Sequence, residues 1–149
     1  MSIKKISAMA IAGLMTLGVV ATVAQDAFVA PATPEEAVAA RKAIMRTNGQ
    51  TLRGAGSLTG AEAVAAMQTL LDDYTNMPAL FPEGSIVGDS EALPAIWENW
   101  EGFTAIVETG RAAAETGLAA AEAGDAAGYA AALQAIGGTC GQCHQQFRS

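Results

Sequence analysis

Five consecutive residues near the end of the chain, Cys140-Gly141-Gln142-Cys143-His144, hold both cysteines and the only histidine of the protein. This is C-x-x-C-H, the spacing at which c-type haem is attached. Thiols three residues apart on a helix face the same way and can form thioethers with the two vinyl groups on one edge of a porphyrin. The imidazole beside the second thiol can then turn onto the iron from one side. Three other uses of these residue types compete. A structural zinc site needs four ligands, and two Cys with one His fall short. A thioredoxin-like redox pair sits at a helix N-terminus after a strand, where the dipole lowers a thiol pKa; this pair lies late in a helical stretch. A plain disulfide would leave the histidine without a role. One covalently attached haem c is the expected use.

With a single histidine, a bis-histidine haem within one chain is excluded. Past residue 24 the methionines are Met45, Met67 and Met77. Met45 shares a helical stripe with Val38, Arg41 and Leu52 and could face the haem from another helix; its other use is core packing. Arg41, one turn earlier, is odd for a core and suits a haem propionate, which an arginine fork binds bidentately. The alternative is a surface arginine that lays its stem over apolar neighbours.

The elements that must position these residues are helices. Ala is by far the commonest residue, and no segment reads as a strand. Thr33-Pro34-Glu35-Glu36 is a capping box with Pro at the first helical position, which starts a first helix running to about Leu52. Thr59-Gly60-Ala61-Glu62 repeats the box, and Val64, Met67, Leu71 and Tyr74 follow at helical spacing to about Asn76. Residues 77–90, MPALFPEGSIVGDS, read as a long connection that packs Leu80 and Phe81 inward. A third helix opens between Ser90 and Pro94 and carries Trp97, Trp100, Phe103, Val107, Ala114 and Leu118 on one stripe before Gly124 stops it. Asp125 caps a fourth, on which Tyr129, Leu133, Ile136, Cys140, Cys143, His144 and Phe147 share a face; the cysteines and histidine are thus expected to point to the core. The fold class is all-α, an antiparallel up-down-up-down four-helix bundle. Gly137, Gly138 and Gly141 each cost a helix about 1 kcal/mol against Ala. A flat macrocycle lying close to the backbone would explain them.

The first residues stand apart. Lys4 and Lys5 precede an uncharged run from Ile6 to Val23, with small residues through Ala24, so 1–24 reads as a cleaved export signal and 25–149 as one haem domain. The run is also near the minimum spanning length of roughly 17 residues, and a retained anchor is the competing reading. No later stretch is apolar enough to span a membrane. Without Lys4 and Lys5, six basic residues face fifteen acids, a net charge of −9. That charge argues against nucleic acid and anionic lipid as partners. Periplasmic localisation is the expectation.

C-x-x-C-H near the C-terminus with Phe147-Arg148 after it resembles the class II cytochromes c, of which cytochrome c′ is the best-known member. The likeness extends over the whole mature chain: Pro34 to Val38 with Arg41 and Met45, the loop Leu80-Phe81-Pro82-Glu83-Gly84, and Pro94 to Trp97 with Phe103. It implies that Cys140 and Cys143 bind the haem, that His144 is the proximal ligand, that Arg41 lies near a propionate and that Met45 occupies the distal position. Lys42, a second candidate near the propionates, stands where relatives often have Gln, and Phe147 where Tyr is usual. High-spin members of the family keep a five-coordinate iron that binds NO and CO; low-spin members use a first-helix Met as sixth ligand, and Met occurs at this position in both. The expected function is single-electron carriage between redox partner proteins, without substrate turnover, and the alternative is gas binding at an open distal site. A thiol-disulfide oxidoreductase is the alternative of another class. The ring is expected among Trp97, Trp100, Phe103 and Tyr129, and family members are often homodimers through their first two helices.

Overall fold

The computed structural model describes residues 28–149, so the export signal expected over 1–24 lies outside the described residues. Four long helices, α1 (Pro34–Ala55), α2 (Gly60–Asn76), α4 (Trp100–Ala123) and α5 (Ala126–Phe147), form an antiparallel bundle. A short α3 (Ala95–Glu98) precedes α4, and a single 3-10 turn, Met77–Leu80, follows α2. Helix α4 is central and packs along both α2 and α5, while α1 lies mainly on α2. Among the described residues no helix is long and apolar enough to cross a membrane.

The helix ends follow local chemistry. The Thr33 hydroxyl accepts from the Glu36 N–H at 3.2 Å while the Glu36 carboxylate accepts from the Thr33 N–H, closing the box expected there. The second box does not form. Thr59 makes no side-chain cap; Gly60 follows it at a φ of 55°, a left-handed turn that suits glycine, and this turn starts α2. Gly124, at a φ of 69°, ends α4, and the Asp125 carboxylate accepts from the N–H groups of Ala127 and Gly128 to start α5.

The expected third helix is in fact two. At Asn99 the backbone leaves helical geometry (φ −132°, ψ 57°) and the side chain caps α4 by accepting from the Gly102 N–H at 3.1 Å. Asn competes well for this role because its short amide mimics a backbone acceptor. The break resets the helical phase. Phe103, Val107 and Ala114 are buried as expected, but Trp97 is only half-buried and Trp100 is 39% exposed.

Two glycines set how α2 lies on α4. A Cβ at Gly110 would stand 2.0 Å from the Tyr74 ring, and one at Gly117 would stand 2.7 Å from the Met67 sulfur and 2.8 Å from the Ala132 Cβ. Each glycine is a seat for a bulky α2 side chain, and Gly117 also lets α5 approach.

On the same helix, burial and then the neighbouring Asp72 raise the Asp73 pKa to about 6 from an ordinary 3.8, and its buried Oδ2 has no hydrogen-bond partner among the described residues. A carboxyl whose folded pKa is raised opposes folding once ionised, so stability should fall as pH rises from about 4 to about 6 and stay lower above. Asp73→Asn is expected to raise the urea midpoint at pH 7 and to flatten its pH dependence in that window. An Asn variant that keeps the parent's dependence would assign the effect elsewhere.

Candidate functional site

Helix α5 brings the C-x-x-C-H residues to one end of the bundle. Its buried stripe is Tyr129, Ala132, Ile136, Thr139 and Phe147, with Cys143 half-buried on the same line. Cys140 and His144 each lie one residue past that stripe, a rotation of about 100°. Cys140 is accordingly half-buried and His144 exposed, which corrects the expectation that all three point to the core. Thr139 takes the inward position instead: its hydroxyl donates to the Ile136 carbonyl and lies 2.7 Å from the Tyr74 hydroxyl.

Cys143 and His144 open onto a cavity of about 340 Å³. Helix α1 lines it with Arg41, Lys42, Met45 and Arg46, and the connection after α2 adds Phe81, Ser90, Glu91 and Ala92. Ile96, Phe103, Phe147 and Arg148 complete it. The structure therefore brings together five of the six expected site residues; the sixth, Cys140, sits behind the wall, with its sulfur 3.7 Å from the Tyr74 hydroxyl.

The walls are phenylalanines. Phe103 meets Phe81 edge-on at 4.8 Å and Phe147 edge-on at 5.6 Å between ring centroids. Of the four aromatics expected around the ring, Phe103 alone lines the cavity. Trp97 donates its indole N–H to the Phe81 carbonyl and so braces the wall from behind. Trp100 is tilted against Phe103 near the surface. Tyr129 donates to the Ala55 carbonyl at the far end of the bundle. Phe81 points inward as the sequence indicated, and Phe147 does so because it ends the buried stripe of α5.

The rim is basic. Four of the chain's eight Lys and Arg residues line this one cavity, against a single acid, Glu91. Lys42 pairs with Asp89, and Arg148 with Glu91 at 2.6 Å. Arg41 is only 5% exposed. Its guanidinium donates to the Ser85 hydroxyl and carbonyl and to the Ser90 hydroxyl, and lies 4.9 Å over the Phe81 ring. Burial lowers its pKa, and no carboxylate among the described residues pairs with it. A buried cation satisfied only by neutral acceptors retains an uncompensated charge, which an anionic group in the cavity would balance. Arg46 and Arg148 had not been singled out as site residues. Arg46 could have been found as the next turn of the Lys42 face, whereas Arg148 needs the fold.

Burial, and then the charge of Cys140, push the Cys143 thiol up to about 11, the reverse of what an attacking thiolate in an oxidoreductase requires. Partial loss of water, then the Arg148 charge, lower the His144 pKa against an opposing effect from Glu91, which keeps the imidazole neutral with a lone pair to offer. No three His, Cys, Asp or Glu side chains group as a metal site would need among the described residues. At Gly137, Gly138 and Gly141 an added Cβ would meet nothing within 4 Å, so no contact among the described residues demands these helical glycines. Two thiols one turn apart, a neutral imidazole, aromatic walls and an unpaired buried guanidinium fit a haem with its acidic propionates.

The family described as cytochrome c′ matches residues 35–148. The cytochrome c′ of Rhodopseudomonas palustris is 31% identical over 147 residues, which covers 93% of each chain. The crystal structure of cytochrome c′ from Thermochromatium tepidum superposes with a TM-score of 0.71 at 25% identity, covering 78% of this chain and 97% of that one. A second solved cytochrome c′, described as having an unusual ligand-controlled dimer dissociation, also gives 0.71 at 25% identity, over 80% of this chain and 99% of its own.

Proposed function

This chain belongs to the cytochrome c′ family, and from that premise we propose that Cys140, Cys143 and His144 hold one haem c in a protein that carries single electrons. The haem, when bound, supplies the one-electron ferric/ferrous couple. The chain's part is to anchor, orient and shield it. Cys140 and Cys143 would give the two thioethers, and the neutral imidazole of His144 the proximal nitrogen. Phe81, Phe103 and Phe147 would exclude water from the ring, a main control on potential. Arg41 would take a propionate while it still holds Ser85 and Ser90, and Lys42 could add a second contact by releasing Asp89. The observation that carries this reading is the concentration of four basic residues on an apolar cavity that also receives Cys143 and His144.

Met45 is the proposed sixth ligand. It lines the same cavity as His144 but comes from α1, so thioether and imidazole would meet the iron from different helices. The parent protein should then show six-coordinate, low-spin absorption bands, and Met45→Ala should convert them to a high-spin spectrum that responds to CO. A high-spin parent spectrum unchanged in Met45→Ala would instead assign an open distal site for NO or CO.

Export to the periplasm by the leader over 1–24, and a homodimer, complete the reading. The dimeric relative described above supports the second.

A further inference from the structure

The hydroxyl of Tyr74 is buried between α2 and α5, away from the cavity, at the back of the attachment motif. It lies 2.7 Å from the Thr139 hydroxyl and 3.7 Å from the Cys140 sulfur. Its ring is seated over Gly110, where a Cβ would stand 2.0 Å from it, so the phenol reaches α5 only because α4 has a glycine there. The proton arrangement follows from the acceptors. Thr139 gives its proton to the Ile136 carbonyl at 2.7 Å, so it must accept from Tyr74. The Cys140 thiol has its own proton, with the Ile136 carbonyl 3.6 Å away.

Thioether formation would remove that thiol proton and leave the sulfur an acceptor only. Among the described residues, Tyr74 is then the side-chain donor within reach of it. The geometry points to Tyr74 as a positioning residue that sets the haem potential through the Cys140 sulfur, with Thr139 competing for the same proton. This inference rests on Cys140 being a thioether. A hydroxyl proton directed at the sulfur withdraws electron density from the macrocycle edge and favours the ferrous state, which raises the potential. Burial pushes the Tyr74 pKa well above its ordinary value, so the donor stays protonated and its effect should not vary between pH 6 and 9.

The test is spectroelectrochemical titration of the purified holoprotein and of Tyr74→Phe and Thr139→Val, each with its melting temperature. Tyr74→Phe keeps the ring over Gly110 and removes only the donor; its midpoint potential should shift downward, by the same amount across that pH range, with absorption bands unchanged. Thr139→Val removes the competing acceptor and should shift the potential upward. Opposite shifts support the proposal. Any other pattern overturns it, including an unmoved potential in Tyr74→Phe or shifts of the same sign, which general loosening of the helix contact would produce. Failure of the underlying reading is separate: the parent would then carry no covalently bound haem to titrate.

Discussion

Cys140→Ala/Cys143→Ala should yield a polypeptide whose mass after denaturation is that of the bare chain, where the parent is heavier by one haem. Any coordination of the iron by His144 would not preserve the added mass in the double variant, because a coordination bond is lost in acid and organic solvent and a thioether is not. Each single variant should keep the added mass through its remaining sulfur. The two sulfurs are not equivalent. Cys143 lines the cavity, whereas Cys140 is held behind it by Tyr74. Haem mass persisting on the double variant would remove both cysteines from the attachment site. A parent without haem mass would return the motif to thiol chemistry, against the high pKa of Cys143.

Phe103→Ala should cost about 3–5 kcal/mol of unfolding free energy, the range for deleting a large buried aromatic. The ring is fully buried and contacts Phe81, Trp100 and Phe147, so it joins α4 to the connection after α2 and to the end of α5. Of the roughly 5–15 kcal/mol that holds a domain together, this is a fifth or more. Urea unfolding followed by far-ultraviolet circular dichroism measures it. Phe103→Leu, which returns most of the volume, should lose less than half as much. A cost under about 1 kcal/mol for the alanine variant would mean the walls can collapse onto each other and that Phe103 does not hold the cavity open.

How legible all this was in the sequence depended on how local each cause is. The Thr33 box, the Gly124 stop and the Asp125 cap involve residues within one turn and read directly from the chain. The C-x-x-C-H spacing is equally local and reads directly as a motif, but its facing does not, since Cys143 and His144 open onto the cavity and Cys140 lies behind it. The break at Asn99 did not read, since no Pro or Gly marks it. With it went the facing of Trp97 and Trp100. The Thr59 box failed for a related reason: Gly60 at positive φ offered the backbone another way to begin. The cavity itself was the least legible. Arg41, Arg148 and Phe81 meet there only through the course of residues 81–94, where Arg41 binds Ser85 and Ser90, Arg148 binds Glu91, and the Leu93 N–H donates to the Phe147 carbonyl. No periodicity encodes a connection of that kind.

Tyr74 and Met67 are seven residues apart on α2, and the glycines that receive them, Gly110 and Gly117, are seven apart on α4. Two seats at equal spacing do what two dowels do for a pair of plates: one would leave the helices free to pivot, and the second removes the pivot along with the slide. A shift of α2 by a single residue would drive both bulky side chains out of their recesses at once. Helix α2 is thereby held in register with α4, and that register carries Tyr74 to within 2.7 Å of Thr139 on a third helix.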